Sequence, residues 1–198
     1  MTRALIALAS AAALLVAAQP AAATTKKERR RICAQRGATV ASSAVARVFV
    51  VDRNSDQSLY DCMRSNGRLQ LLSNWYSCGC STGDAIDPSA RLRAGRFVEL
   101  TEYVTCGPQP DPACGGSSTT LRDLGTRHEA AVEGTLAQVL AGPAGSFAFV
   151  DDRVVLVDAD GNARVVDSGS GVEAGSLAFA RTRLYWTRAG LPQSFALQ

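Results

Sequence analysis

Short runs of β-branched and aromatic residues recur along the chain after residue 31, separated by Gly, Asp, Asn, Ser and Pro. Few segments show helical spacing, and apolar runs bounded by turn residues are typical of strands. The runs recur in a fixed order, and each group begins with a strand led by a small or basic residue. These leading strands are residues 46–51, 95–100, 145–150 and 182–187. The pattern predicts an all-β protein.

Each of the first three leading strands is followed by two more predicted strands joined by a polar turn. The pairs are residues 58–61 with 68–72, 119–124 with 129–132, and 153–158 with 163–167. The last pair is joined by Ala-Asp-Gly-Asn, and Asp-Gly between alternating apolar residues is a strong hairpin signal. The chain is therefore predicted to be built from four strand modules.

The leading strands begin at residues 46, 95, 145 and 182, which are 49, 50 and 37 residues apart. Such periods are typical of repeat architectures, and single hairpins must pack face to face to bury an apolar surface. With the turn at 158–162 and the aromatic strand Leu184-Tyr185-Trp186, the pattern resembles β-propeller repeat proteins in the broad kelch-like or TolB-like sense. No kelch double-Gly motif or WD dipeptide is present. The resemblance, over residues 36–198, implies a small or incomplete propeller whose last module gains an outer strand from residues 30–34. A two-sheet β-sandwich is the alternative.

Residues 1–23 are predicted to be a secretory signal peptide. Arg3 is followed by a 15-residue apolar run over residues 4–18, then by Pro20 and three alanines before Thr24. The run is shorter than the ~20 residues of a spanning helix. Because basic residues 26–31 follow at once, an uncleaved anchor is the alternative. We expect a secreted or cell-envelope protein with no stable membrane span after cleavage.

The net positive charge of the chain comes from a basic tail predicted over residues 24–35. The whole sequence has a net charge of +3, but residues 32–198 carry 15 Lys and Arg against 17 Asp and Glu. A near-neutral exported domain disfavours nucleic acid as a partner. An unknown extracellular protein or wall polymer is the expected partner, although such a run is more often a solvated tail.

Six cysteines follow the predicted cleavage site, and an even number in an exported chain indicates disulfides. Cys106 and Cys114 flank a Pro- and Gly-rich loop, and Cys33 and Cys62 precede and follow a predicted pair of strands. Cys78 and Cys80 remain and would close a tight ring, for which redox chemistry is an alternative to a structural bond. Zinc is disfavoured because no second Cys pair lies at finger spacing.

Catalytic motifs are largely missing from the sequence, and no catalytic residue is assigned. His128 is the one histidine, and its 40-residue separation from the Asp167-Ser168-Gly169 stretch cannot hold the two barrels of a trypsin-like protease. His128 is predicted to be an exposed strand residue. The paired carboxylates at 151–152 and 158/160 are predicted to lie in turns, where Asp is favoured. A glycosidase would need two carboxylates converging in a cleft.

Two further groups of residues are candidates for ligand binding. Asp52, Asn54 and Asp56 form the D-x-[DN]-x-[DN] start of a calcium loop, although Gln57 and Met63 replace its turn Gly and bidentate Glu. Calcium is therefore the one cofactor considered, and a plain turn is favoured over it. The aromatic residues Trp75, Tyr76 and Tyr103 are candidates for a binding surface, with core packing as the alternative.

We expect an exported, non-enzymatic binding or scaffold module that recognises its ligand through loops at residues 73–88 and 107–118. The alternative is an extracellular hydrolase with a carboxylate-based site in a propeller channel. A thiol-redox protein using Cys78 and Cys80 is a third hypothesis.

Overall fold

The protein is described from a computed structural model, which covers residues 27, 31, 33, 34, 37–53, 56–77, 85–105 and 116–197. Strands account for most of these residues, and a 3₁₀ turn at Pro143–Gly145 interrupts them. The strands in chain order are β1 Ala38–Ser42, β2 Ala46–Arg53, β3 Asp56–Met63, β4 Arg68–Ser77, β5 Ala85–Arg93, β6 Phe97–Thr105, β7 Gly116–Asp123, β8 Glu129–Val132, β9 Gln138–Ala141, β10 Phe147–Val150, β11 Arg153–Val157, β12 Ala163–Ser168, β13 Ala178–Ala180, β14 Arg183–Arg188 and β15 Leu191–Ala196. The all-β prediction is confirmed.

Every strand pairs antiparallel with its neighbour in the chain, within four sheets. The first sheet is β1–β4, the second β5–β8, the third β9–β12 and the fourth β13–β15. Backbone pairing of Tyr76 with Ile86 and of Ser77 with Ala85 joins the first sheet to the second, so that β1–β8 follow one another in a continuous strand order. In the part of the chain described here, none of the sheets closes on itself.

The predicted leading strands are the second strands of the four sheets, β2, β6, β10 and β14. The first strand of each sheet carries a weaker signal in the sequence. Strand β5 contains Pro88, which argues against a strand. Strands β9 and β13 have only four and three residues, too few to display alternation. Strand β1 is largely exposed, so its apolar residues do not mark a buried face.

Consecutive sheets share hydrophobic cores. Val48 and Leu59 of the first sheet pack with Val98 of the second, and Phe97 of the second packs with Phe147 and Phe149 of the third. A further cluster joins the third and fourth sheets, and its members are Ala148, Val150, Val154, Leu156, Leu177, Leu184 and Trp186. The third sheet is therefore covered on both faces, which explains the unbroken apolar runs of β10 and β11.

The far face of the first sheet is covered by the segment containing Cys33. A disulfide joins Cys33 to Cys62 on β3, in agreement with the pairing considered from the sequence. Arg47 holds the same segment by donating to the carbonyl oxygens of Cys33 at 2.6 Å and Gly37 at 2.8 Å. Arg31, Cys33 and Ala34 have helical backbone. The expectation that residues 30–34 add an outer strand to the last module is thus wrong, because the described residues of this segment are helical and Cys33 is bonded to the first sheet.

Two buried carboxylates organise turns at the ends of the sheets. Asp123 is fully buried and accepts hydrogen bonds from Arg96 Nε at 2.7 Å and from the backbone N of Gly125 at 2.8 Å. Asp151 is 1% exposed and accepts from the backbone N of Glu133 at 2.7 Å. Buried charges persist when they are paired in this way. Among the described residues, no helix is long and apolar enough to cross a membrane.

Candidate functional site

A cavity of about 510 Å³ lies between the third and fourth sheets. Its walls come from the 3₁₀ turn, the β11–β12 hairpin, the β13–β14 turn and the end of β15. We call it the groove, and its lining residues are Pro143, Ala144, Ser146, Leu156, Asp158, Ala159, Asp160, Arg164, Arg181, Thr182, Phe195 and Leu197. Its volume is within the usual range of small-molecule pockets.

The floor of the groove is apolar because two sheets turn their apolar faces toward each other there. Leu156 is 4% exposed on β11 and belongs to the core shared with the fourth sheet. Phe195 and Leu197 are half-buried against the same core. A ligand on this floor would cover apolar surface that protein atoms only partly cover.

Two arginines lie at the rim of the groove. The guanidinium carbon of Arg164 lies 5.2 Å from the centre of the Phe195 ring, in a cation–π contact. Arg181 lies in the β13–β14 turn with a φ of 53°, a left-handed conformation that few side chains favour. Within the described residues, neither guanidinium has a hydrogen bond or ion pair with a carboxylate.

The carboxylate of Asp158 at the same rim is engaged by its own turn. Its Oδ1 accepts hydrogen bonds at 2.9 Å from the backbone N of both Asp160 and Asn162, and the Asn162 side chain adds a contact. The hydrogen bonds of Asn162, backbone first, lower the pKa of Asp158. The prediction that Asp158 serves a tight turn is confirmed.

A second cavity, of about 610 Å³, lies between the β8–β9 connection and residues 169–172. Glu133 and Asp152 line it together with Arg153. Arg153 Nη1 lies 2.8 Å from Glu133 Oε2, and its Nη2 lies 2.7 Å from Asp151 Oδ2. The hydrogen bond to Asp151 is the largest cause of the raised pKa of Arg153. Arg153 thus pairs with one of the two carboxylates that line this cavity, Glu133, and with the buried Asp151 behind it.

The structure corrects the placement of His128. The residue lies in the turn before β8 and is half-buried, whereas the sequence predicted an exposed strand position. Its ring lies against Gly161 of the β11–β12 hairpin, where an added Cβ would come within 3.0 Å of His128 Cδ2. Its Nδ1 is buried with no partner among the described residues. The error arose because contact with a distant hairpin, which the local pattern does not show, covers the ring.

The Asp167-Ser168-Gly169 stretch serves packing in the structure. Asp167 Oδ2 accepts a hydrogen bond from Trp186 Nε1 at 2.6 Å, and its Oδ1 lies 2.6 Å from Arg188 Nη1. Asp167 therefore joins the third sheet to the fourth. Trp186 is 5% exposed, as expected for an aromatic residue that packs between modules.

The other candidate residues are only partly described. Asp52 is exposed at the end of β2, Asn54 lies outside the described residues, and Asp56 is described only by its backbone in β3. No group of three or more His, Cys, Asp or Glu side chains suited to a metal ion occurs in the described ranges. The calcium site stays a prediction.

The candidate aromatic surface is also described in part. Trp75 and Tyr76 lie in β4 with side chains outside the described part of the chain, while Tyr103 is 49% exposed on β6. The predicted loops are shorter than expected, because residues 73–77 belong to β4, 85–88 to β5 and 116–118 to β7. Residues 78–84 and 107–115 lie outside the described part of the chain, and so do Cys78, Cys80, Cys106 and Cys114. The signal peptide at residues 1–23 lies outside them as well.

The groove residues were not predicted from the sequence, although part of the signal is present. The β11–β12 turn fixes the strand register and pairs Arg164 with Leu156. An arginine beside a buried leucine was therefore accessible to sequence reasoning. Arg181 and Phe195 reach the groove through the packing of the fourth sheet, which local alternation does not encode.

These features define an all-β protein of four antiparallel sheets, joined by shared cores and carrying at least one disulfide. No protein-family model, curated protein or solved structure matches the chain.

Proposed function

We propose that the protein is an exported, non-enzymatic binding module whose ligand occupies the groove. The observation that carries this proposal is the combination, in one cavity of about 510 Å³, of an apolar floor and two guanidiniums without ion-pair partners among the described residues. Pockets with this composition, mostly apolar with a few polar groups, are typical of ligand sites. Export is supported by the predicted leader and by the Cys33–Cys62 disulfide, since such bonds persist in oxidising compartments.

The surroundings of the groove favour binding because they are ordered before a ligand arrives. Leu156 is held in the central strand of a hairpin pair buried on both faces, and Arg164 is stacked on Phe195. A side chain already held by packing loses less conformational entropy on binding, so more of the contact energy appears as affinity.

We further propose that the four sheets are modules of a small or incomplete β-propeller. The cores shared by consecutive sheets support this arrangement, since propeller blades pack face to face. A crystal structure in which the first strands of the sheets line a common axis would agree with the proposal. A two-layer sandwich would contradict it.

Binding in the groove is tested by nuclear magnetic resonance on the isotope-labelled protein, purified after export with its own leader. We expect some members of a library of small acids, bases and neutral aromatic compounds to produce saturable amide shifts at Arg164, Arg181 and Phe195. The control variant Arg91→Ala changes an exposed arginine on β5 and should leave these shifts intact. If no compound shifts groove amides, or if all shifts lie elsewhere, the proposal is wrong.

A carboxylate-based hydrolase is the second candidate, and one observation favours it. Glu133 and Asp152 line the same 610 Å³ cavity, as a pair of catalytic carboxylates would. Against this, Arg153 already pairs with Glu133. Turnover of chromogenic glycosides that is lost in both Glu133→Gln and Asp152→Asn would establish the hydrolase. Turnover that survives both changes would exclude this site.

A further inference from the structure

The hydrogen-bonding capacity left free in the groove indicates which ligand it accepts. Two guanidiniums supply ten N–H donors, and in the described part of the chain no protein acceptor uses them. Of the two carboxylates at the rim, Asp158 is engaged by backbone and side-chain donors of its own turn. The groove therefore offers a surplus of charged donors, although its formal charges cancel. A ligand that complements it must bring acceptor oxygens with negative charge.

The planar shape of the guanidinium indicates which kind of anion the groove binds. A carboxylate accepts two parallel hydrogen bonds from one guanidinium, and such bidentate pairs are the strong, oriented ones. A phosphate dianion would make similar bonds, but it would bring a second negative charge close to Asp158 and Asp160. Like charges at short range are repulsive, so the groove favours a monoanion.

The apolar floor determines the rest of the ligand. Leu156, Phe195 and Leu197 lie below the rim, and the stacking of Arg164 on Phe195 places one guanidinium directly at the edge of this floor. An acid with an aromatic ring or a branched aliphatic group can place its carboxylate on the arginine and its apolar part on the floor. A small hydrophilic acid such as acetate would gain only the first contact.

We propose that the groove binds a small organic monoanion in which one carboxylate is joined to an aromatic or branched aliphatic group. Arg164 and Arg181 bind the carboxylate, and Leu156, Phe195 and Leu197 bind the apolar group. This inference rests on the proposed function of the groove as a ligand site, and it adds the chemical class of the ligand.

The test titrates four probes into the isotope-labelled protein. They differ in whether they carry a negative charge, in the type of anion and in whether they have an apolar group. The probes are 3-phenylpropionate, its uncharged amide, phenyl phosphate and acetate. We expect 3-phenylpropionate to bind in the groove about tenfold more tightly than its amide, which corresponds to about 1.4 kcal/mol, since only the acid forms charge-assisted hydrogen bonds with the arginines. Acetate should bind at least tenfold more weakly because it buries no apolar group, and phenyl phosphate should also bind more weakly.

Variants identify the groups responsible. Arg164→Ala and Arg181→Ala should each weaken 3-phenylpropionate binding about tenfold and leave the affinity for the amide within about twofold. Phe195→Leu keeps an apolar side chain, so it preserves the fold while reducing affinity for all phenyl probes. The control Arg91→Ala should change none of these affinities.

The outcomes separate this inference from the proposed function. If the amide binds in the groove as tightly as the acid, or phenyl phosphate binds more tightly, the monoanion assignment is overturned while the groove remains a binding site. If acetate binds as tightly as 3-phenylpropionate, the role of the apolar floor is overturned. If none of the probes shifts groove amides although other library compounds do, the ligand class is wrong. If no compound of any kind does so, the proposed function fails as well.

Discussion

Asp61 is a carboxylic acid buried between the first and second sheets, and we expect it to make the stability of the protein fall as the pH rises. It shares a strand face with Leu59, which packs against the second sheet. Only 2% of the residue is exposed, and its Oδ2 has no hydrogen-bond partner among the described residues. Burial raises the pKa of Asp61 to about 6, although the positive charges of Arg122 and Arg127 act in the opposite direction.

The size and sign of the effect follow from this pKa. The folded protein holds the Asp61 proton more tightly than the unfolded chain, so well below the ordinary pKa of 3.8 both states are protonated and Asp61 contributes nothing. As the pH rises from about 4 to above 6, the unfolded chain ionises first and stability falls. At about 1.4 kcal/mol per pKa unit, the difference between the ordinary value of 3.8 and about 6 amounts to about 3 kcal/mol.

Urea denaturation at pH 4.5 and pH 7.5 measures this loss. The variant Asp61→Asn keeps the shape of the side chain but carries no charge, so it should be more stable than the natural protein at pH 7.5, by up to about 3 kcal/mol. At pH 4.5 the gain should be much smaller. Asp52→Asn, which removes an exposed carboxylate on β2, serves as the matched control for the loss of one carboxylate. If the gain in stability from Asp61→Asn is no larger at pH 7.5 than at pH 4.5, Asp61 is not a buried acid and the packing of the first two sheets is wrong.

Two further predictions concern covalent and ionic links. Replacing Cys33 and Cys62 by Ser should lower the free energy of unfolding by about 3–4 kcal/mol, since the bond closes a loop with a sequence separation of 29. A loss below about 1 kcal/mol in urea denaturation would contradict this expectation. Arg96→Ala should cost about 2–3 kcal/mol because the fully buried Asp123 loses its ion-pair partner and keeps only the hydrogen bonds from Gly125 N and Thr126 Oγ1. Arg93→Ala breaks a partly exposed pair and should cost under about 1 kcal/mol, so equal losses would refute the distinction.

The sequence predicts those parts of the fold that are determined by neighbouring residues. The β11–β12 hairpin was predicted because Asp-Gly and Asn fix a turn whose backbone donors engage Asp158. Strand β9 was missed because four residues show too little alternation, and its position depends on pairing with β10. The groove was missed because it depends on packing between sheets. Phe195 contacts Arg164 only because the fourth sheet packs against the third. Turns and strands that depend on neighbouring residues can be predicted from the sequence, whereas contacts between sheets cannot.

The position of the groove follows from how differently the third and fourth sheets are covered. Strand β11 is buried on both faces and reads as the run Val154-Val155-Leu156-Val157, whereas β14 alternates between buried and exposed residues. The fourth sheet therefore contributes one apolar face to the shared core and has polar or exposed side chains on the other. Where its last strand ends, Phe195 and Leu197 are only half-buried, so the shared core reaches the surface beside Arg164 and Arg181. A binding site is expected at such a place, because it combines uncovered apolar surface with two charged groups, one on β12 and one in the β13–β14 turn.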